Sequence, residues 1–325
     1  MKPEVRKLPE LFLERLRRIV PSQKWDAVAN TFAEPKPTTF RVNTLKAKPE
    51  VIQEKLHYLG FRLEKVSWCP GAFILRDGRL RELQETEIYK KGEIYVQNLS
   101  SMIPVLVLNP QPGETILDLT AAPGSKTTQM AVMMKGEGRL VANDNDRIRF
   151  FKLKTNVELQ GASNVELKSY PGEQFGRHWP DYFDRVLLDA PCTAEGRFLA
   201  HEPSTYRYWK PAKIKEMARK QKNLILSAFR ALKPGGTLVY STCTFAPEEN
   251  EGVLTWLLEK ADQHKIPAEL VEVRHAPPLP SIPNPMHGLS AWEEKNFHPS
   301  VRNSIRILPT VQMEGFFVAS LRKKE

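Results

Sequence analysis

The 325-residue chain has three cysteines, Cys69, Cys192 and Cys243. Two of them stand where chemistry could be done. FDRVLLDA (183–190) and GGTLVYSTC (235–243) read as apolar strands bounded by turn residues. Asp189 and Cys192 follow the first strand and Cys243 ends the second. Adjacent parallel strands would bring these three side chains to one rim of a sheet, where α/β folds bind ligands. A thiolate is a strong nucleophile. One reaction that needs such a nucleophile is substitution at carbon 5 of cytosine. That carbon reacts poorly until a thiolate adds to carbon 6, breaks the ring conjugation and makes carbon 5 enamine-like. A second group near the base then suits expulsion of the thiol, and a carboxyl group can stabilise charge on the ring nitrogen. Cys69 has no comparable context and reads as a small buried hydrophobe.

A second set of residues suits a nucleoside. TILDLTA (115–121) reads as a strand, and DLTAAPGSKT (118–127) turns from it into a helix. Its small residues and Gly124 let backbone approach a ligand, and the helix start offers free N–H groups. The spacing fits neither a P-loop nor a dinucleotide GxGxxG turn. The next strand ends in ANDND, with Asp144 at its tip. An acid there can receive ribose hydroxyls or cap the following helix.

The elements that must position these residues alternate. Strand patterns at 115–121, 138–146, 164–170, 183–190 and 235–243 are separated by helical stretches, which implies a doubly wound parallel sheet. GFFVASLR (315–322) reads as one more strand, and the proline-rich span 276–300 as loop. Residues 1–92 mix short helices (8–20, 49–60) with short strands (38–45, 61–68, 72–75), a small α+β module ahead of a catalytic unit over 93–325.

Composition narrows the class. Apolar residues make up 41% and charged residues 26%, as in globular domains. No run approaches the about 18–20 apolar residues of a spanning helix, and the charged start lacks a secretory core, so a cytoplasmic location is expected. The net charge of +10 suits a polyanionic partner. No CxxC pair or closely spaced histidines point to a metal. GRFLAHEPSTYRYWKP (196–211) interleaves Arg197, His201, Arg207 and Lys210 with Tyr206, Tyr208 and Trp209, a pattern for single-stranded RNA or for aromatic packing onto the core. Arg15, Arg17, Arg18, Lys24 and Arg41 are candidates for wider RNA contact.

DLTAAPGSKT, ANDNDRIR, LLDAPCTAEGRF, LKPGGTLVYSTCTFAPEENE and EGFFVA, with FRVNTLKA (40–47) and GEIYVQNLSS (92–101), resemble the Sun/Nop-type (RsmB-like) RNA 5-methylcytosine methyltransferases. The resemblance runs from about residue 36 to residue 322. It implies a class I methyltransferase (Rossmann-like) fold, with S-adenosyl-L-methionine as donor and RNA as partner, ribosomal RNA ahead of transfer RNA, acting as a monomer. It further implies Cys243 as nucleophile, Cys192 as the residue that releases product, and Asp189 and Lys126 at the reacting centre. Thr120, Ala121, Ala122, Pro123, Gly124, Ser125 and Lys126 would contact the methionine part of the donor, Asp144 its ribose, and Asp189 would lie close to both donor and base. The sequence departs from the family in three places. Thr120 stands for the usual cysteine, TAEG (193–196) for SGEG, and Pro171 where an acid for the adenine amino group is expected. Two other readings compete. A DNA cytosine methyltransferase would take its nucleophile from Pro191-Cys192, and a non-catalytic RNA-binding protein would use the same scaffold.

Overall fold

A computed structural model describes residues 1–77, 79–263, 266–273 and 282–324. The chain opens with two helices, α1 (Glu10–Ile19) and α2 (Trp25–Asn30). It then builds a small sheet from β1 (Thr39–Val42), β2 (Leu63–Lys65), β3 (Ala72–Leu75) and β4 (Ile94–Val96), in the order β2-β3-β1-β4 with every pair antiparallel. Helix α3 (Pro49–Tyr58) starts on a proline, whose missing N–H costs nothing in a first turn. Its Ile52 and Leu56 pack with Phe40, Phe73 and Leu75 of the sheet. The short helices α4 (Leu80–Glu85) and α5 (Glu87–Lys90) lead into β4. The expected division after residue 92 runs just ahead of β4, which pairs with β1.

The second sheet holds β5 (Thr115–Asp118), β6 (Arg139–Asn143), β7 (Val165–Lys168), β8 (Phe183–Asp189) and β9 (Leu232–Thr242), parallel throughout. Later come β10 (Ala268–Val271), β11 (Pro285–His287), the two-stranded ribbon β12 (Ala291–Trp292) with β13 (Lys295–Asn296), β14 (Ile305–Ile307) and β15 (Phe316–Lys323). The order is β7-β6-β5-β8-β9-β15-β14-β11, with β10 also on β15. Strand β15 runs antiparallel to β9. The buried Leu117 of β5 and Val186, Leu187 and Leu188 of β8 show why the central strands are apolar runs rather than alternations: both faces are covered. Helices α6 (Leu99–Leu108), α7 (Ser125–Met133) and α8 (Arg147–Gln160) pack on one face, and α9 (Phe175–His178), α10 (Pro211–Ala231) and α11 (Glu251–Gln263) on the other. This is the doubly wound architecture expected. No helix among the described residues is long and apolar enough to cross a membrane.

Two findings differ from expectation. Part of the span 276–300 is not loop: β11 adds to the sheet edge and β12 pairs with β13. Backbone hydrogen bonds at an edge need no apolar alternation, so such strands leave little trace in sequence. Residues 276–281 of that span lie outside the described residues. The opening helices also do not join the small sheet's core. Phe12 of α1 lies 4.8 Å from Phe198 and 6.0 Å from Trp209, both in the segment after Cys192. Phe32 reaches Phe245, just after Cys243, at 6.2 Å between centroids.

Residues 1–33 therefore brace the catalytic segments from outside. Phe12→Ala is expected to cost about 3–5 kcal/mol in a urea titration. A loss well under about 1 kcal/mol would show that this cluster is dispensable.

Candidate active site

Strand β8 pairs with β9 so that Asp189 stands opposite Ser241, and the Ala190 N–H donates to the Ser241 carbonyl. That register carries the two turns beyond the strands to the same place. Cys192 Sγ and Cys243 Sγ lie 3.4 Å apart. Gly196 N–H donates to the Cys243 carbonyl at 2.8 Å, and a Cβ on Gly196 would sit 2.2 Å from the Gly315 carbonyl oxygen, so the closure requires glycine. The hydrogen bond to Cys243, then burial, pushes the Cys192 thiol well above the usual range. Cys192 thus keeps its proton, and its S–H is able to donate to the Cys243 sulfur.

Asp189 is held on all sides. Lys126 Nζ donates to Oδ2 at 2.6 Å and to Ser101 Oγ at 2.7 Å, Ser241 Oγ donates to Oδ1 at 2.7 Å, and Thr120 Oγ1 donates to the Asp189 carbonyl at 2.8 Å. Lys126 is buried in the first turn of α7, and the carboxylate is the charge beside it. Thr120 therefore does work a cysteine would do less well, as an oxygen donor to the backbone of the catalytic turn.

The turn after β5 follows the expected course. The Ala122–Pro123 bond is cis, and Gly124 sits at φ 104° ahead of α7 with no side chain capping the helix. The N–H groups at the start of α7 remain open to an anionic group. Asp144 accepts from Ala122 N–H at 3.2 Å and Asp146 N–H at 3.0 Å, and Arg149 lies 3.4 Å from it. Asp144 is not the cap of α8. Asp146 takes that role, accepting from the Arg149 N–H at 2.9 Å. Thr120, Asn143, Asp144, Glu173 and Pro191 line one cleft at the carboxyl ends of β5, β6 and β8. Pro171 is exposed and opens a 3₁₀ turn, and the acid that faces the cleft is Glu173, two residues on. A larger cavity of about 740 Å³ lies elsewhere, between α3 and the α4–α5 pair, and no cysteine lines it.

Residues 105–322 match a family model described as 16S rRNA methyltransferase RsmB/F, two thirds of the chain. The chain belongs to that family. Residues 8–99 match the N-terminal domain of 16S rRNA methyltransferase RsmF. The chain is 39% identical over 321 residues to "Ribosomal RNA small subunit methyltransferase F" of Vibrio parahaemolyticus, covering 97% of this chain and 63% of that protein. It thus spans less than two thirds of the length of such relatives. It is also 39% identical over 324 residues to "tRNA (cytosine(49)-C(5))-methyltransferase" of Pyrococcus abyssi, covering 99% and 98%. A crystal structure of a methyltransferase homolog protein from Pyrococcus horikoshii superposes with a TM-score of 0.80 at 31% identity, covering 99% of this chain and all of that one.

Three features of this RsmB/F family site were not legible from residue types. Glu195 and Glu249 are buried under the two cysteine turns and clamp them together. Glu195 accepts from Trp209 Nε1 at 2.8 Å, Thr244 Oγ1 at 3.0 Å and Phe245 N–H at 3.0 Å. Glu249 accepts from Thr193 N–H at 3.1 Å, Gln221 Nε2 at 2.8 Å and the Thr193 hydroxyl. Burial raises both carboxyls, Glu249 to about 8. Both acids stand inside the segments singled out from sequence, yet nothing local marks them as buried. The third feature is Arg41. Its guanidinium is buried, donating to Gln97 Oε1 at 2.8 Å, Ser125 O at 3.0 Å and Thr128 Oγ1 at 2.6 Å, and among the described residues Nη1 has no hydrogen-bond partner. Burial lowers it to about 10. It ties β1 to the start of α7.

Several surface assignments change accordingly. Arg41 is beyond the reach of an outside ligand, and Arg15 is paired with Glu248 at 2.7 Å. Arg17 and Arg18 lie over Trp25 and Trp292 and are exposed, as is Lys24 in part, which donates to Asn284. Tyr206 and Trp209 belong to the core, and Tyr208, 74% exposed with Arg207 against its ring, is the free aromatic of that segment. Cys69 is buried and raised by burial to about 11.

Unfolded, Glu249 ionises near 4.5, and folded it holds its proton to about 8. The folded chain binds more protons between those values, so this contribution is complete below 4.5 and is lost as pH rises through about 8. The thermal midpoint should fall from about pH 5 to about pH 8, and Glu249→Gln should flatten that decline. An unchanged slope in scanning calorimetry of the variant would assign the decline to other groups, such as buried Asp118, raised to about 7 by burial.

Proposed function

We propose that this chain transfers a methyl group from S-adenosyl-L-methionine to carbon 5 of a cytosine in ribosomal or transfer RNA, through a covalent bond from Cys243 to carbon 6. The observation that carries the reading is the 3.4 Å approach of Cys192 to Cys243 beside the Lys126–Asp189 pair. The names of the two kinds of relative support the same activity and differ on the RNA.

The cleft suits the donor. Asp144 and Glu173 offer acceptors for ribose hydroxyls and the adenine amino group, Leu119 and Leu224 supply apolar walls, and the open N–H groups of α7 suit a carboxylate. When bound, S-adenosyl-L-methionine supplies an electrophilic methyl group carried on a sulfonium.

The Cys243 thiol gives up its proton to water, the Cys192 S–H steadies the resulting thiolate by a hydrogen bond, and the sulfur adds to carbon 6. The electron pair of the carbon 5–carbon 6 bond moves into the ring. Lys126 uses two of its three N–H donors on Ser101 and Asp189, which leaves one for the ring nitrogen that takes up charge. Asp189, fixed by Lys126 and Ser241, offers its remaining lone pairs to the cytosine amino group. Carbon 5 then takes the methyl group. Release requires the carbon 5 proton to leave to water, its electron pair to restore the double bond, and the carbon 6–sulfur bond to break. Cys192, protonated, donates to the departing sulfur and restores the starting pair. This makes it a helper in expulsion rather than the base.

Two measurements check the reading. Expressed in a host with its full RNA pool, Cys192→Ala should give an RNase-sensitive slow band on a denaturing gel, and Cys243→Ala none. A band from Cys243→Ala alone would reverse the roles and favour attack by Cys192, and sequencing the trapped RNA separates ribosomal from transfer targets. For the donor, Glu173→Ala should weaken S-adenosyl-L-methionine binding about five- to tenfold in titration calorimetry, the worth of one hydrogen bond. Equal affinity would leave the adenine amino group to another acceptor.

A further inference from the structure

The link from the opening helices to β1 is Pro35-Lys36-Pro37-Thr38, and its two prolines keep it extended. It passes the segment that follows the Cys192 turn without closing on it. Between them lies a cleft of about 410 Å³, the size of a small-ligand site. Pro37, Leu80 and Val96 form one wall and Phe198 and Leu199 the other, with Lys36, Asn98, Arg197 and Glu314 as the polar groups. The cleft is next to the reacting centre, because Gly196, which binds the Cys243 carbonyl, immediately precedes Arg197. Glu314 first, and also Cys243, Cys192 and Asp189, hold the Arg197 guanidinium above its usual range.

The polar groups are under-used by the protein. Arg197 is exposed, its Nε 3.7 Å from Glu314 Oε1, and among the described residues its side chain makes no hydrogen bond. Asn98 accepts from the Ser100 N–H and leaves its amide donors open. Lys36 Nζ donates once, to the Thr31 carbonyl at 2.6 Å. Burial lowers Lys36 to about 8, a cost that an arriving anion would relieve. Burial also raises the Glu314 carboxyl, the acid that faces Arg197. Two cations at the mouth of an apolar slot, with Arg197 next to the glycine that binds the Cys243 carbonyl, match a nucleotide: phosphate at the rim, base between the walls.

We propose that this cleft is the subsite for the nucleotide adjoining the target base in a single-stranded stretch of RNA, its phosphate held by Lys36 and Arg197 and its base set against Leu80, Val96 and Leu199. The inference rests on the reading of RNA as substrate. It assigns Lys36 and Arg197 to positioning the strand, outside the bond-making groups.

The test uses the full chain and a short single-stranded RNA of mixed sequence carrying cytidine, with binding measured across a salt series. Lys36→Gln and Arg197→Gln should each weaken binding about three- to tenfold and lower the slope of log affinity against log salt by about 0.7, the share of one phosphate contact on a single strand. Lys36→Arg and Arg197→Lys should restore the slope. Glu314→Gln should tighten binding, whereas a purely structural Arg197–Glu314 pair predicts no gain. Thiouridine in the probe should crosslink to peptides containing Leu80 or Leu199. Unchanged affinity and slope in both Gln variants, with thermal midpoints as in wild type, overturns the subsite. If that result comes with the RNase-sensitive band of Cys192→Ala intact, the subsite alone fails and the methyl-transfer reading stands. If Cys192→Ala traps nothing while both Gln variants lose affinity and slope, the cleft is supported as an RNA contact and the covalent chemistry is what fails.

Discussion

The parallel register of β8 on β9 brings Asp189 and the two cysteine turns together. Asp189 opposite Ser241 is a backbone fact, fixed by hydrogen bonds between two central strands. From it follow the Ser241 bond to the carboxylate, the meeting of the turns beyond, and the contact of the two sulfurs. A slip of one residue would turn Asp189 to the opposite face of the sheet and part the cysteines. The register is secure because Val186, Leu187 and Leu188 fill both faces and tolerate no other alignment.

The turns are held by buried carboxyl groups as well as by strands. Glu195, beside the Cys192 turn, takes donors from Thr244 and Phe245 after Cys243, and Glu249, after Cys243, takes donors from Thr193 beside Cys192, with Gln221 of α10 bonding both Glu249 and the Pro191 carbonyl. A buried carboxyl is costly unless its hydrogen bonds are complete, and here they are supplied by the segments it must hold. The network thus favours one arrangement of the site over looser ones. Arg306 and Glu251 repeat the device behind it, with Nε to Oε1 at 2.7 Å and Nη1 on the Phe245 carbonyl.

Pieces distant in sequence complete the centre. The opening helices pack onto Phe198, Phe245 and Trp209, so the first residues of the chain stabilise the segments that follow both cysteines. Arg41 joins the small sheet to the helix that carries Lys126, through the Ser125 carbonyl and Thr128. The small sheet is therefore tied mechanically to the proposed donor cleft, and it also contributes walls to the cleft beside Arg197.

By itself the sequence determined the order and type of the central strands, the rim on which ligands meet, and the small set of residues able to do chemistry there. Those features are local: apolar runs, turn residues and short motifs such as DAPC and STCT are written in consecutive positions. The tertiary structure alone decided which acids lie buried, which basic residues are spent inside, and which aromatics belong to the core. Glu195, Glu249 and Arg41 look like surface residues in sequence, and each is enclosed by segments that the chain brings from far away. Pro171 shows the same limit, since the acid facing the cleft stands two residues later, where a 3₁₀ turn carries it. Burial depends on what packs against a residue, and a one-dimensional pattern records the residue without its neighbours.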